Sequence, residues 1–161
     1  MAENDYVGTT RRVIARAIDE ASDRGALAVE AEHLLLALAE DDGAAASVLA
    51  EFGLDARRID ELLHDERRAA LAAVGFVGAD DDRLVATARR SRPGWGASAK
   101  EAIVRGAKLG HRDRQRIRES DLLLGILLAE LGTVPRALHL GDVDREAVIG
   151  RLQRLAHAST R

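Results

Sequence analysis

Apolar residues recur along the first part of the chain at the spacing of an amphipathic helix. Between Val13 and Ala21 they fall at positions i, i+1, i+4, i+5 and i+8, and the pattern stops at Gly25, which suits a left-handed helix end. The stretch Glu30–Glu40 is apolar on nearly all sides. A helix of that kind must be covered on every face, so the sequence predicts a central core helix here.

Two shorter patterns complete a first group of four helices. Gly43 breaks the central helix, and Ala44–Phe52 predicts a short third helix that ends at Gly53. Asp55 has the side chain and the position of an N-cap residue, and it predicts a fourth helix that runs to about Leu71.

The same order of elements returns in the second part of the chain. We predict an amphipathic helix over Ala97–Leu109 that opens near Ser98, an apolar central helix over Glu119–Glu130 that starts at Ser120 or Asp121, a short helix over Thr133–Leu140, and a last helix over Arg145–Ala156 that Asp144 caps. Pro135 is compatible with the short helix because it lies in the first turn.

The two groups overlay residue by residue, which indicates an internal repeat. Glu32–Leu38 corresponds to Ser120–Ile126 at an offset of 88 residues, and Gly43 corresponds to Gly132 at an offset of 89. Gly53 is paired with Gly141 in this overlay. The predicted fold is therefore all-α, with eight main helices arranged as two pseudo-repeated four-helix units.

The repeat also sets the predicted domain organisation. The first unit covers residues 1–73, a linker covers residues 74–94, and the second unit covers residues 95–161. The linker contains glycines, an acidic run and a basic cluster, with one helical turn predicted around Arg83–Ala88. We expect the two units to pack through Tyr6, Trp95 and the faces of the first helices.

Composition supports helices and excludes several kinds of chemistry. Aromatic residues make up only 2% of the chain, and much of its apolar content is Ala and Leu, which are strong helix formers. The chain has no cysteine, which excludes disulfides, thiolate metal sites and a thiol nucleophile. The five histidines show no spacing typical of a metal site, and no Ser or Thr has a His–Asp partnership. We expect neither a catalytic site nor a cofactor.

Charge and hydropathy bear on partners and location. Residues 1–82 contain 19 acidic and 8 basic side chains, whereas residues 83–161 contain 8 acidic and 16 basic ones. This asymmetry could steer a charged partner or favour head-to-tail contact between copies, or it could reflect solvated helix faces. The N-terminus lacks the pattern of a signal peptide, and apolar runs such as Leu34–Ala39 are too short to span a bilayer. We therefore expect a cytoplasmic protein without membrane contact.

The helix patterns, glycine breaks and acidic caps of the two halves resemble those of the N-terminal (Clp repeat) domain of Clp-family unfoldases. That repeat has a helix of the type R-R-V-L-x-x-A-x-x-E-A, a loop that ends in G-T-E-H-L-L-L-G-L, a glycine break and then V-L-x-x-L-G-V-D. The matching residues are Tyr6, Arg11-Arg12-Val13-Ile14, Glu20-Ala21, Glu32-His33-Leu34-Leu35-Leu36, Gly43 and Gly53-Leu54-Asp55 in the first half, and Trp95, Ala99-Lys100, Leu122-Leu123-Leu124-Gly125 and Val143-Asp144 in the second.

The resemblance implies a stand-alone docking domain of the ClpC type. The sequence contains no G-x-x-x-x-G-K-[ST] phosphate loop, so we expect no ATPase module. The function implied is that of a non-catalytic protein- or peptide-binding module of the Clp proteolytic system. Such a module would act as an adaptor, a decoy or a regulator of an unfoldase, and its partners would be Clp components or their substrates.

The resemblance also implies a ligand, phosphoarginine, and a set of residues for it. In the family, the Glu of each T-E-H motif binds the guanidinium and a Thr near the start of each repeat binds the phosphate. Here Glu32 is retained, whereas Ser120 replaces the second Glu and cannot supply its charge. Val7 and Gly96 replace the two Thr residues, although Thr9 and Thr10 follow closely in the first half.

The candidate partner-binding residues are Tyr6, Thr9, Thr10, Glu32, Trp95 and Lys100. Each has a structural alternative: Glu32 also suits the first turn of a helix on dipole grounds, and Tyr6 and Trp95 also suit core plugs between the halves. His33 is interpreted as a structural histidine.

Two other functions remain open from the sequence. A groove lined by Tyr6 and Trp95 would favour a protein that sequesters or senses small molecules such as cyclic-peptide antibiotics. Arginines in the runs 89–92 and 112–118 would favour a nucleic-acid-binding regulator if they formed one continuous face.

Overall fold

The helices account for nearly all of the regular structure in the described residues. The computed structural model describes residues 2–76, 92–110 and 117–158, with side chains from residue 10 onwards. Its elements are α1 (Ala2–Asp23), β1 (Ala28–Val29), α2 (Ala31–Glu40), α3 (Ala44–Glu51), α4 (Ala56–Ala73), β2 (Gly94–Trp95), α5 (Ala97–Leu109), α6 (Glu119–Leu127), α7 (Thr133–Leu140) and α8 (Arg145–Ala158). The predicted all-α fold with eight main helices is confirmed.

Several features on which the sequence predictions depend lie outside the described part of the structure. These are the predicted helical turn around residues 83–88, the arginines at 89, 90, 112, 114 and 116, and the side chains of Tyr6 and Thr9.

The predicted caps of the two fourth helices are present. The Asp55 carboxylate accepts a hydrogen bond from the Arg58 N–H at 2.7 Å, and the Asp144 carboxylate accepts one from the Ala147 N–H at 3.0 Å. Each bond satisfies a backbone donor that the first turn of a helix leaves free. The repeated Asp therefore begins α4 and α8 in the same way.

The predicted start of α6 is wrong. Its N-cap residue is Arg118, and Asp121 is the third helical residue, whose carboxylate accepts the Arg118 N–H at 3.2 Å. A carboxylate at that position reaches back to the cap, so an acidic residue inside the first turn was mistaken for the cap itself. The helix also ends at Leu127, three residues before the predicted end at Glu130.

The overlay of Gly53 with Gly141 is also wrong, by one residue. Gly53 has φ +70°, and the residue that takes the same left-handed conformation in the second half is Asp142, with φ +54°. Gly141 has φ −84°. A Cβ atom at position 141 would lie 2.2 Å from a methyl carbon of Leu62, so the Leu62 side chain would have to shift to accommodate it.

The last helix of each half packs on the central helix of its own half and also contacts the short helix of the other half. Helix α4 of the first half packs on α7 of the second, and α8 of the second half packs on α3 of the first. Two ion pairs bridge these contacts: Arg136 Nε lies 2.7 Å from Glu66, and Arg151 Nε lies 2.8 Å from Glu51. The first helices, in contrast, pack chiefly within their own halves, α1 on α2 and α5 on α6. The central helices α2 and α6 are thereby buried on nearly all sides.

A short parallel pairing also joins the halves just before α2 and α5. Ala28 pairs with Gly94 and Val29 with Trp95, and the Gly96 N–H donates to the Val29 carbonyl at 2.9 Å. Two-residue strands are too short for a periodic pattern, and the sequence did not predict them.

Beyond this pairing, α2 and α5 cap each other. The Ala31 N–H at the start of α2 donates to Ser98 Oγ at 2.8 Å, and the Ser98 N–H at the start of α5 donates to the Glu30 carboxylate at 3.1 Å. The Ser98 hydroxyl donates to the same carboxylate. These bonds fix the first turn of α2, in which Glu32 lies.

Candidate functional site

A groove lies between the start of α2, the length of α4 and the start of α7. We call it the α2–α4–α7 groove; its volume is about 910 Å³. Leu36, Leu63 and Leu71 supply apolar surface, while the charged lining includes Glu32 and Arg67 from the first half and Arg136 from the second. The contact between α4 and α7, which belong to different halves, creates this groove.

Glu32 is the predicted site residue that lies in the groove. It is the second residue of α2 and is partly buried. Burial raises its pKa, and the charges of Glu30 and Glu66 act in the same direction, against the lowering effects of its own backbone N–H and of Arg67. No side chain in the described part of the chain forms an ion pair with it within 4.0 Å. Glu32 is therefore a carboxylate that would gain from a cationic partner.

His33, beside Glu32, has a structural role. Its Nδ1 accepts a hydrogen bond from the Glu30 N–H at 2.9 Å, which satisfies a donor at the start of α2. Burial, with a contribution from the positive charge of Arg24, lowers the pKa of His33 to about 4. The ring is therefore neutral near pH 7 and serves as an acceptor.

Most other charges in the groove are already paired. Arg24 Nη1 lies 2.7 Å from Asp60, and Arg136 Nε lies 2.7 Å from Glu66. Arg67 forms no ion pair among the described residues. Among the described residues, the groove thus presents two carboxylates without an ion pair, the partly buried Glu32 and the exposed Asp65, and one such guanidinium, Arg67, beside apolar surface. That combination suits a peptide with a charged and an apolar side chain.

Thr10 and Glu32 do not form one pocket. Thr10 Oγ1 donates to the carbonyl of Ile117 at 2.9 Å. It lies at the end of the α1–α2 pair where Arg12 contacts Asp41 at 3.3 Å, whereas Glu32 lies at the other end. Nine residues of helix separate Glu32 from Asp41, which corresponds to roughly 14 Å along the axis.

Trp95 and Lys100 also lie outside the groove lining. The Trp95 ring is partly buried and packs against the core, in agreement with its interpretation as a core plug, and Lys100 is exposed on α5. In the second half, Ser120 takes the place of Glu32 and is buried. Position 120 therefore supplies no carboxylate in place of Glu32.

The sequence reasoning missed Glu66 and Arg136. A signal for Glu66 was present, because it continues the buried stripe of Ile59 and Leu62 along α4 at helical spacing. A charged residue in such a stripe needs a partner. That the partner is Arg136, 70 residues away, follows only from the contact between α4 and α7.

Among the described residues there is no group of three or more His, Cys, Asp or Glu side chains arranged to hold a metal ion. None of the helices within the described ranges is long and apolar enough to cross a membrane.

Comparison with known families identifies the first half directly. Residues 7–85 match the family model of the Clp repeat (R) N-terminal domain. Over these residues the chain is Clp N-domain-like. The resemblance predicted from the sequence is thereby confirmed.

Comparison with solved structures extends the likeness to the whole fold. The crystal structure of the N-terminal domain of the caseinolytic protease associated chaperone ClpD from Arabidopsis thaliana matches with a TM-score of 0.63 and 19% sequence identity. The match covers 97% of this chain and 97% of that one. None of the curated proteins matched the sequence. Clp N-terminal domains are non-catalytic interaction domains that bind proteins in Clp chaperone systems.

Proposed function

We propose that this Clp N-domain-like protein is an adaptor, decoy or regulator of a ClpC-type unfoldase, and that it binds protein or peptide ligands in the α2–α4–α7 groove. The observation that carries this proposal is the unpaired, partly buried carboxylate of Glu32 in that groove. Leaving a carboxylate in such a place costs free energy, which a cationic ligand group would recover.

Phosphoarginine is a candidate ligand group for the same place. Glu32 can accept hydrogen bonds from a guanidinium, and Arg67 is close enough to lower the pKa of Glu32. Since Arg67 has no ion-pair partner among the described residues, it is available for a phosphate. Arg67 would then take the part that the resemblance gives to threonine, because Thr10 lies at the other end of α2.

Capture from cell lysate tests this function. The wild-type protein is expected to retain a Clp unfoldase, its protease or their substrates, as identified by mass spectrometry. Glu32→Gln keeps the size of the side chain and removes its charge, so it should reduce that capture about tenfold, the effect expected for loss of one charged hydrogen-bonded contact. Glu146→Gln is the matched control, because Glu146 is an exposed carboxylate on α8 outside the groove.

The outcomes separate the parts of the proposal. Capture of Clp components that survives Glu32→Gln would place the binding site elsewhere on the molecule. Absence of every Clp component from the wild-type sample would contradict the adaptor, decoy and regulator roles.

The alternative functions gain no support from the groove. Its lining contains no Trp, Tyr or Phe among the described residues, and Trp95 packs on the core instead. The arginine runs on which the nucleic-acid hypothesis depends lie mostly outside the described residues, so that hypothesis stays a prediction.

A further inference from the structure

One charged side chain in the α2–α4–α7 groove comes from the opposite half of the protein. Arg136, on α7, reaches Glu66 on α4 with an Nε–Oε1 distance of 2.7 Å. The Glu66 side chain is only 8% exposed, whereas that of Arg136 is 61% exposed. A buried carboxylate is thus neutralised by a guanidinium that remains largely in solvent, and any ligand cation that displaced this guanidinium would have to neutralise Glu66 in its place.

Glu66 also acts on Glu32. Both line the groove, and the negative charge of Glu66 is one of the influences that raise the pKa of Glu32. The two carboxylates therefore form one negative region, and Arg136 supplies the cation that is ion-paired within it. A cationic ligand that enters the groove meets a site partly neutralised by the protein's own guanidinium.

The second ion pair between the two halves provides a comparison. Arg151 on α8 pairs with Glu51 on α3 through two contacts of 2.8 Å, and neither residue lines the groove. Glu51 is 44% exposed, so this pair neutralises no buried carboxylate. The arrangement around Arg136 is therefore more than a generic link between halves.

We propose that Arg136 is an internal competitor for the α2–α4–α7 groove, whose guanidinium occupies the negative region that would otherwise bind a cationic side chain of the ligand. This inference rests on the proposed function, because it assumes that the groove binds peptides. Arg136 then sets specificity: a ligand must bind well enough to share or displace this guanidinium, and weakly matched cationic peptides are rejected.

Binding of a defined peptide tests the competition. The probe is the acetylated and amidated peptide Ala-Leu-Arg-Leu-Ala, with Ala-Leu-Gln-Leu-Ala as the uncharged reference, measured by titration calorimetry with the full chain. Arg136→Gln is expected to tighten binding of the arginine peptide about fivefold, the order of one partly exposed ion pair. Binding of the glutamine peptide should not change. Arg151→Gln, the matched control, should leave both affinities at the wild-type value.

Two further variants identify the cause of any gain. The double variant Glu66→Gln with Arg136→Gln removes both charges and should return the affinity to about the wild-type value. Glu66→Gln alone leaves no buried unpaired carboxylate at that position, so it is expected to fold. It should weaken binding, because it removes negative charge and releases Arg136 inside the groove.

The results that would overturn the competition are distinct from those that would overturn the proposed function. Unchanged or weaker binding by Arg136→Gln, or no binding by that folded variant, contradicts the competition, and so does unchanged binding by Glu66→Gln. A fivefold gain supports it even if no Clp component is captured from lysate. Capture that depends on Glu32 supports the proposed function even if Arg136→Gln shows no gain.

Discussion

Replacement of Gly125 with alanine is expected to lower the free energy of unfolding by about 3 kcal/mol, because it forces apart two helices whose backbones touch. A Cβ atom at Gly125 would lie 2.2 Å from the carbonyl oxygen of Ala102 and 2.7 Å from the backbone nitrogen of Gly106. Backbone atoms in helices cannot move aside as a flexible side chain can. The whole contact between α5 and α6 would have to shift.

Gly150→Ala is the matched control for this prediction. Gly150 also lies inside a helix, α8, but a Cβ atom there would meet only the flexible end of Arg154 at 3.4 Å. Alanine is the better helix former, so this variant should gain roughly 0.5–1 kcal/mol. Chemical denaturation of both variants measures the difference. Equal stability of the two variants would contradict the close approach of α5 to α6.

The second large effect is a dependence of stability on pH that comes from His33. Burial lowers the pKa of His33 from 6.5 to about 4. Between these two pH values, His33 is therefore protonated in the unfolded chain and neutral in the folded chain. The titration of His33 leaves the free energy of unfolding unchanged above pH 6.5 and lowers it as the pH falls from 6.5 to about 4. The total decrease over this interval is about 3 kcal/mol.

His33→Gln isolates this contribution. Glutamine at the third helical position can still accept the Glu30 N–H, but it does not titrate in this range. The wild-type protein should therefore lose stability relative to His33→Gln between pH 6.5 and pH 4, while carboxylates common to both proteins cancel in the difference. His139→Gln, at an exposed position on α7, is the control. Parallel curves for the wild type and His33→Gln would show that His33 titrates normally.

Elements bounded by strong local signals could be predicted from the sequence. The predicted bounds of α5 and α7 agree with the structure at both ends, because glycine lies immediately before each helix and glycine follows its last residue. Asp55 and Asp144 likewise marked the starts of α4 and α8. In these places a single residue determines where a helix begins or ends, and no distant contact competes with it.

Features that depend on distant contacts could not be predicted. The contacts of α4 with α7 and of α8 with α3 join the two halves but change no local pattern, because each helix presents the same apolar stripe whichever helices it contacts. Leu62, whose side chain a Cβ atom at position 141 would meet, is 79 residues away in the sequence. The overlay paired Gly53 with Gly141 by residue type, whereas the left-handed residue of the second half is Asp142.

Some residues of the candidate site could likewise be identified from the sequence, and others could not. Glu32 could be singled out because it lies in a recognisable motif at the start of a helix. The sequence could not show that Thr10 lies far from Glu32, because the distance between them depends on α1 and α2 running in opposite directions. Glu66 and Arg136 come together only in the folded protein, and they complete the charge of the groove.

Nuclear magnetic resonance mapping of ligand binding tests the central claim most directly. The ¹H–¹⁵N spectrum of the labelled protein would be recorded during titration with Ala-Leu-Arg-Leu-Ala. We expect the largest shifts at the start of α2, along the middle of α4 and at the start of α7, and we expect Glu32→Gln to weaken the binding that they report about tenfold. Shifts that cluster around Trp95 and α5, or an affinity that is the same in the wild type and Glu32→Gln, would contradict the assignment of the α2–α4–α7 groove as the binding site.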